Sequence, residues 1–366
     1  MEQKLEKMKN RLRELTSLPA VSGYEDPVIR YVRAQFKDCA QEVHVDALGN
    51  VTVKMNRSAV PEPYRVMVFA HMDELGLMVN KIEESGFLRV ERLGGIPEKS
   101  LAGQSVIIEA GGKTWNGVIG TKSHHVTPSD EKYRVLPVSE VFADFGFKSR
   151  QEAEMAGIDA GTPIMYQRQF FTNGSRVFSN ALDNRAGCLA LLELADLVKD
   201  KELSCELYLV FSVQEEFNLR GVLPAVRRIN PQLAITLDIT IATDTPDLLN
   251  KGNIYLGGGP SIGMYTFHGR GTLGGLIPNP KLVQHIKKIA AAHHIPLQPA
   301  VFMGILTDAS FSQLENEGLP MVDLGYPARY THAPVESVDL EDVHKLVLLL
   351  ERLVYTFDGS IDFSRG

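Results

Sequence analysis

Apolar residues along this chain follow two rhythms, and their alternation predicts the architecture. Val66-Met67-Val68-Phe69-Ala70 is an unbroken apolar run of strand length, the mark of a strand covered on both faces. Two more such runs come much later, Leu207 to Val213 and Leu233 to Leu237. Elsewhere the spacing is helical. Met8 to Leu18 shows it, and Asp26-Pro27 opens a second helix with a cap and a proline at the first helical position. Arg185 to Val198 carries the Ala and Leu spacing of a packed helix. A last helix is expected from Asp339 to Tyr355, with Leu340, Val343, Val347, Leu350 and Val354 on one face. Val43 to Val53 alternates about Leu48-Gly49-Asn50, which reads as two short strands and a turn. Buried strands interleaved with helices predict an α/β fold, a mostly parallel sheet flanked by helices.

The stretch from about 77 to 172 breaks this pattern. Short β-type segments (Phe87 to Glu91, Ser105 to Glu109, Trp115 to Ile119) are interrupted by Gly94-Gly95 and Gly111-Gly112, with one brief helical pattern around Ser149 to Ala156. Regular turns between short strands predict a small β domain inserted into the α/β one. The expected division is an α/β domain made of 1–74 and 176–366, with the β-rich insertion at 75–175. There is no internal repeat and no low-complexity segment.

Composition narrows the function classes. The 366 residues are 44% hydrophobic and 23% charged, ordinary globular proportions. Lys plus Arg is 38 against 45 for Asp plus Glu, a net charge of −7, which offers no broad electrostatic footprint for nucleic acid or an anionic membrane. No apolar run is long enough to span a bilayer, and the first segment, MEQKLEKMKNRLREL, has no stretch a signal peptide would use. Cys39, Cys188 and Cys205 are an odd, scattered set without a CxxC. A cytoplasmic location is expected, with neither a disulfide framework nor a thiolate zinc site.

The chemistry lies where the buried strands end. The first runs into His71-Met72-Asp73-Glu74, the second into Gln214-Glu215-Glu216, and the third ends in Asp238. Ligands of open α/β sheets bind beyond the carboxyl ends of strands, so these runs deliver one histidine and several acids to one edge. His71 and Asp73, two apart on extended chain, point to one side, so one imidazole nitrogen can bind a metal while Asp73 orients the other. Glu215 and Glu216 are adjacent and diverge, which suits a ligand beside a general base. Asp183, in SNALDNRAG at 179–187, precedes a helix, and His332 lies in a loop before the last one.

Singly, each has an ordinary reading: a polar strand end, a helix cap, an exposed loop histidine. Together they conflict, because Asp183, Glu215, Glu216 and Asp238 at one sheet edge would repel and stay partly protonated. Divalent cations remove that conflict. His71 and His332 complete a nitrogen and oxygen ligand set for zinc or cobalt, with manganese also admitted. The pairs His124-His125 and His293-His294 lack acidic partners and read as scaffold or surface. Gly257-Gly258-Gly259-Pro260 lacks the Lys-Ser/Thr of a phosphate loop and reads as a turn. Cys188 reads as core.

The sequence resembles the M42 metallo-aminopeptidases. The matching segments are AHMDELG at 70–76, SNALDNRAG at 179–187, QEEFNLRG at 214–221, TLDIT and ATDTP within 236–246, LGGGPSIG at 256–263 and RYTHAPVE at 329–336. They stand in the family's order and spacing and cover essentially the whole chain. The resemblance implies a zinc-peptidase-like fold whose inserted β-barrel domain serves dimerisation, and a homo-oligomer built from dimers, up to a dodecamer. It also implies two divalent ions per subunit. His71 and Asp238 would hold one, Glu216 and His332 the other, and Asp183 would bridge them. Glu215 would be the general base on the bridging water, and Asp73 would support His71. Two positions depart from the family: Phe217-Asn218 stands where Val-Gly is usual, and Leu306 replaces a glycine before Thr307-Asp308-Ala309.

The expected activity is therefore dinuclear hydrolysis of N-terminal residues from peptides with a free N-terminus. The same chemistry on another amide, such as an acylated amino acid, is the near alternative. A metal-stabilised assembly protein without turnover is a more distant one. A metal-free glycosidase with Glu215 in a carboxylate pair leaves His71 and His332 without purpose, and the single Trp offers little sugar stacking.

Overall fold

The computed structural model describes residues 2–56, 63–269 and 273–365. Its centre is four parallel strands in the order Cys205–Ser212, Tyr64–His71, Leu233–Ile241, Met321–Arg329. Both flanks are antiparallel. On one side lies the hairpin Glu42–Val45 and Val51–Lys54, and on the other Glu336–Asp339, Arg176–Ser179 and Phe170–Asn173. A side branch, Ser261–His268 with Gly274–Leu276 and Gln298–Met303, pairs onto Met321–Arg329.

Alternating side chains give the central strands two apolar faces. Val66, Val68 and Ala70 join Leu189, Leu192, Leu346 and Leu350 in the main core beneath the helices Leu182–Val198 and Leu340–Val354. Met67, Phe69, Ala234 and Met321 face the other way, onto Val222 and Val226 around the short helix Leu223–Ile229. No helix among the described residues is long and apolar enough to cross a membrane.

Local signals set most of the elements. Asp46 Oδ1 accepts the amides of Leu48, Gly49 and Asn50 and closes the first hairpin. Ser149 caps Arg150–Met155 through the Glu152 amide, and Asp339 caps the last helix through the Glu341 amide. The helix Pro280–Ala292, capped by Asn279 with proline at its first turn, carries the same signals. The strand read as Leu233 to Leu237 continues to Ile241, because Met321–Arg329 pairs along its whole length. Asp238 therefore sits inside a strand rather than at its end.

The strands Gly76–Ile82, Leu88–Leu93, Phe142–Asp144, Lys113–Ile119, Ser105–Ala110 and Pro163–Tyr166 close into a barrel with its own core, including Val90, Val106, Ile108, Ile119 and Ile164. The hairpin after it, Phe170–Ser179, already belongs to the large sheet, so the chain crosses back near 167–169, ahead of the expected 175. Both crossings are tied together: Arg168 on the way out pairs with both carboxylate oxygens of Glu74 on the way in, at 2.5 Å each. Behind them the fully buried Arg185 donates to the carbonyls of Met72 and Leu15.

Candidate metal centre

Register brings the first residues together. Ser212 is opposite His71, and Thr236 is opposite Phe69, so Asp238 lies level with His71 two residues on. His71 is buried; its Nδ1 lies 3.2 Å from the Asp73 carbonyl oxygen and 3.5 Å from Asp73 Oδ1. Its Nε2 lies 3.2 Å from Asp183 Oδ1 and 3.9 Å from Glu215 Oε2. Taken alone, Asp183 has the ordinary reading of a helix cap. It instead adopts non-helical angles (φ −80, ψ 102) within Leu182–Val198 and makes no cap bond, which leaves its carboxylate for the cleft. Asp183 Oδ2 and Glu216 Oε2 lie 3.8 and 3.7 Å from His332 Nε2.

Ligand atoms of three groups each fall within 4.8 Å of one another: His71, Asp183 and Asp238; Asp183, Glu216 and His332; and His71, Glu215 and Glu216. Asp183 is shared by the first two. His71, Asp183, Glu215, Glu216, Asp238 and His332 thus line one cavity, and Asp73, fully buried beside them, has a wider part than holding His71. Its carboxylate accepts the amides of Glu215 and Glu216, at 3.0 Å each, and the Ser22 hydroxyl at 2.6 Å. It fixes the backbone that carries both glutamates.

Sequence reading missed several supports. Glu336 is buried and accepts the amide of Asp183 through one oxygen and that of His332 through the other, both at 2.9 Å. It lies at the end of RYTHAPVE, four residues past His332, which was the available signal. Glu25 accepts the Gln214 amide, and no local pattern marks it. Gly95, from the barrel side, offers its carbonyl to His332 Nδ1 at 3.0 Å. Asp308 accepts the Ser212 hydroxyl, and Asp323 accepts that of Thr307, below the cluster.

The electrostatics describe an excess of acid. Burial drives the Glu215 and Asp238 carboxyls well above the usual range, and neighbouring carboxylates add to it. Burial, with Asp183 adding, raises Glu216 to about 7 and Glu336 to about 8. Burial opposes the His332 imidazolium, but Glu216 and Asp183 outweigh it and lift the group to about 9. A cluster of this kind holds protons unless cations replace them. Glu216 Oε1 is buried with no hydrogen-bond partner among the described residues, so one acceptor is left for something else. Imidazole nitrogens and carboxylate oxygens suit a borderline or hard divalent ion. Cys188 lies behind His71 with its thiol pushed to about 12 by burial, which keeps thiolate out of the set.

The cluster forms one end of a cavity of about 700 Å³, which also takes in Phe217, Ile239, Ile241 and Leu306. The glycine loop at 257–259 is no anion cradle, since its Gly257 and Gly259 amides already donate to the Asp342 carboxylate at 2.7 Å.

The sequence profile of the M42 glutamyl aminopeptidase family matches residues 49–349. Over 335 residues the chain is 42% identical to the Escherichia coli (strain K12) protein named "Putative aminopeptidase SgcX", covering 91% of this chain and 90% of that one. It is 34% identical over 349 residues to the lysyl aminopeptidase of Pyrococcus furiosus, covering 94% and 95% of the two. In fold it is similar to the TET1 peptidase of Pyrococcus horikoshii, described as assembling into a tetrahedron or a large octahedral shell. The TM-score there is 0.84 at 30% identity, over 95% of this chain and 99% of that one.

Proposed function

The chain belongs to the M42 family of aminopeptidases, hydrolases acting on N-terminal residues, and from that premise we propose that it works with two divalent cations and Glu215 as general base. His71 and Asp238 would hold one cation, Glu216 and His332 the other, and Asp183 both. The observation that carries this is the sharing of Asp183 by two histidine–carboxylate groups, beside a buried Glu216 oxygen that lacks a partner.

Bound there, such ions supply Lewis-acid polarisation of the scissile carbonyl and a water whose pKa falls toward about 7. The chain's own groups do the rest. Glu215, buried and 3.9 Å from His71 Nε2, takes the proton of the attacking water and returns it to the leaving amine. Asp73 holds the Glu215 and Glu216 amides, so base and ligand keep their spacing during the transfer. Gly95 accepts from His332 Nδ1, which leaves Nε2 as the free ligand atom.

The inserted barrel supports a homo-oligomer, as does the fold shared with an assembling peptidase. The unpaired state of all three cysteines supports a cytoplasmic location. Metal-stripped protein should bind about two equivalents of Zn²⁺, Co²⁺ or Mn²⁺ by calorimetry and regain hydrolysis of residue amides with a free amine. Saturation at one equivalent would remove the shared-Asp183 reading. Activity confined to N-acylated amino acids would move the same chemistry to deacylation. Turnover that survives stripping would exclude metal dependence.

A further inference from the structure

Two of the three segments that bring acids to the cleft continue into apolar side chains facing the same cavity. Phe217 follows Glu216 directly, with Leu219 beyond it, and Ile239 follows Asp238, with Ile241 two residues later. The loop before Thr307 adds Leu306 from the opposite end of the chain. Phe217 is 48% exposed, its ring covered on one side by the Arg220 guanidinium at 5.1 Å. Leu306 is only half-buried. Phe217 and Leu306 are held open to the cleft, whereas Leu219 is buried and Ile239 packs against the main core.

Charge around the cavity is distributed unevenly. Its acids are Asp183, Glu215, Glu216 and Asp238, all within the proposed metal and base set. Among the described residues lining it, the ionisable side chains outside the cluster are Arg92 and His268, both basic. Arg92 donates to the Ile96 carbonyl at 3.2 Å through one nitrogen and keeps its charge and remaining N–H donors.

We propose that this cleft selects peptides whose N-terminal residue has an apolar side chain and rejects lysyl and arginyl termini, with Phe217 and Leu306 as specificity-determining residues. The inference rests on the metal reading above, because cations would neutralise the acids that could otherwise receive an ammonium group. A lysyl side chain laid along Ile241 and Leu306 loses its hydration without gaining a counter-charge, whereas leucine or phenylalanine gains contact. An apolar wall alone discriminates by small factors per methylene, but an unpaired buried charge is rejected far more strongly.

The test uses the full chain loaded with metal and a panel of leucine, phenylalanine and lysine amides. The kcat/KM values for leucine and phenylalanine should exceed that for lysine by about 100-fold or more. Free leucine should raise the melting temperature of the loaded enzyme more than free lysine does, a binding readout independent of turnover. Leu306→Asp should raise the lysine-to-leucine ratio about tenfold or more at unchanged metal content. Ile241→Asp serves as the second variant should that protein fail to fold. Lysine amide cleaved as well as leucine amide would overturn the specificity while leaving the aminopeptidase intact. A ratio unmoved in both variants would overturn the assignment of this wall. Failure to cleave any amide would instead bring down the function on which the proposal stands.

Discussion

Glu215 and Glu216 are neighbours with different fates, and backbone geometry is the reason. Their amides both donate to Asp73 on a turn rather than on extended chain, so the two carboxylates converge on the cleft instead of diverging, Glu215 near His71 Nε2 and Glu216 near His332 Nε2. Glu215→Gln keeps the size and the amide contacts and removes the base. It should retain two equivalents of metal and lose about 10²–10⁴ in kcat; near-normal turnover would release Glu215 from its role. A second residue-scale prediction concerns pH. Burial first of all lifts Glu25, Asp308 and Asp323 to about 7 from ordinary values of 4.5, 3.8 and 3.8. The folded chain then binds more protons than the unfolded one between about pH 4 and 7, so stability falls as pH rises through that window. Metal-free protein should melt lower at pH 8 than at pH 5. Added zinc should reverse that order, since its ligands are deprotonated at the higher pH. A metal-free melting curve that rises with pH would contradict this account.

Elements act by carrying these residues to one level. Four parallel strands in register put His71 beside Ser212 and align Asp238 with it, while the helix Leu182–Val198 brings its first turn, with Asp183, over the same edge. The barrel contributes at this scale through the turn at Gly94-Gly95. A Cβ on Gly95 would come within 2.9 Å of His332 Nδ1, so no larger residue fits without moving the imidazole. Gly95→Ala should weaken metal binding about 10–100-fold, the usual effect of disturbing a ligand's orienting partner, with circular dichroism unchanged. Full affinity would show that the loop does not seat His332. Most elements were legible from spacing and caps, as with Ser149; Asp26-Pro27 marks the right helix start, but Asp26 is its first residue rather than its cap, and the preceding Glu25 makes no side-chain cap bond. The extension of one strand past Leu237 was not legible, because it depends on a partner more than 80 residues away.

The whole molecule is two packed bodies whose connecting segments are clamped by Glu74 and Arg168 and backed by Arg185. Glu74 of this clamp follows Asp73 directly, and Arg168 precedes the strands leading to Asp183. Apolar side chains stand exposed on both bodies, among them Tyr133 at 94% and Leu273 at 77%. Sedimentation of the metal-loaded protein should give an assembly larger than the 40.5 kDa chain; a monomer at micromolar concentration would count against an oligomeric enzyme.

The sequence by itself determined the elements and the chemical alphabet of the site. Apolar spacing fixes which segments become buried strands or amphipathic helices, and the acids and histidines stand at or near the ends of those segments. What only the tertiary structure decided is proximity and support. Whether Asp183 caps a helix or faces two histidines, and whether Glu336, Glu25 and Gly95 matter at all, depends on contacts between segments far apart in the chain. Such contacts leave no local pattern, because they arise from packing and register rather than from the preferences of neighbouring residues.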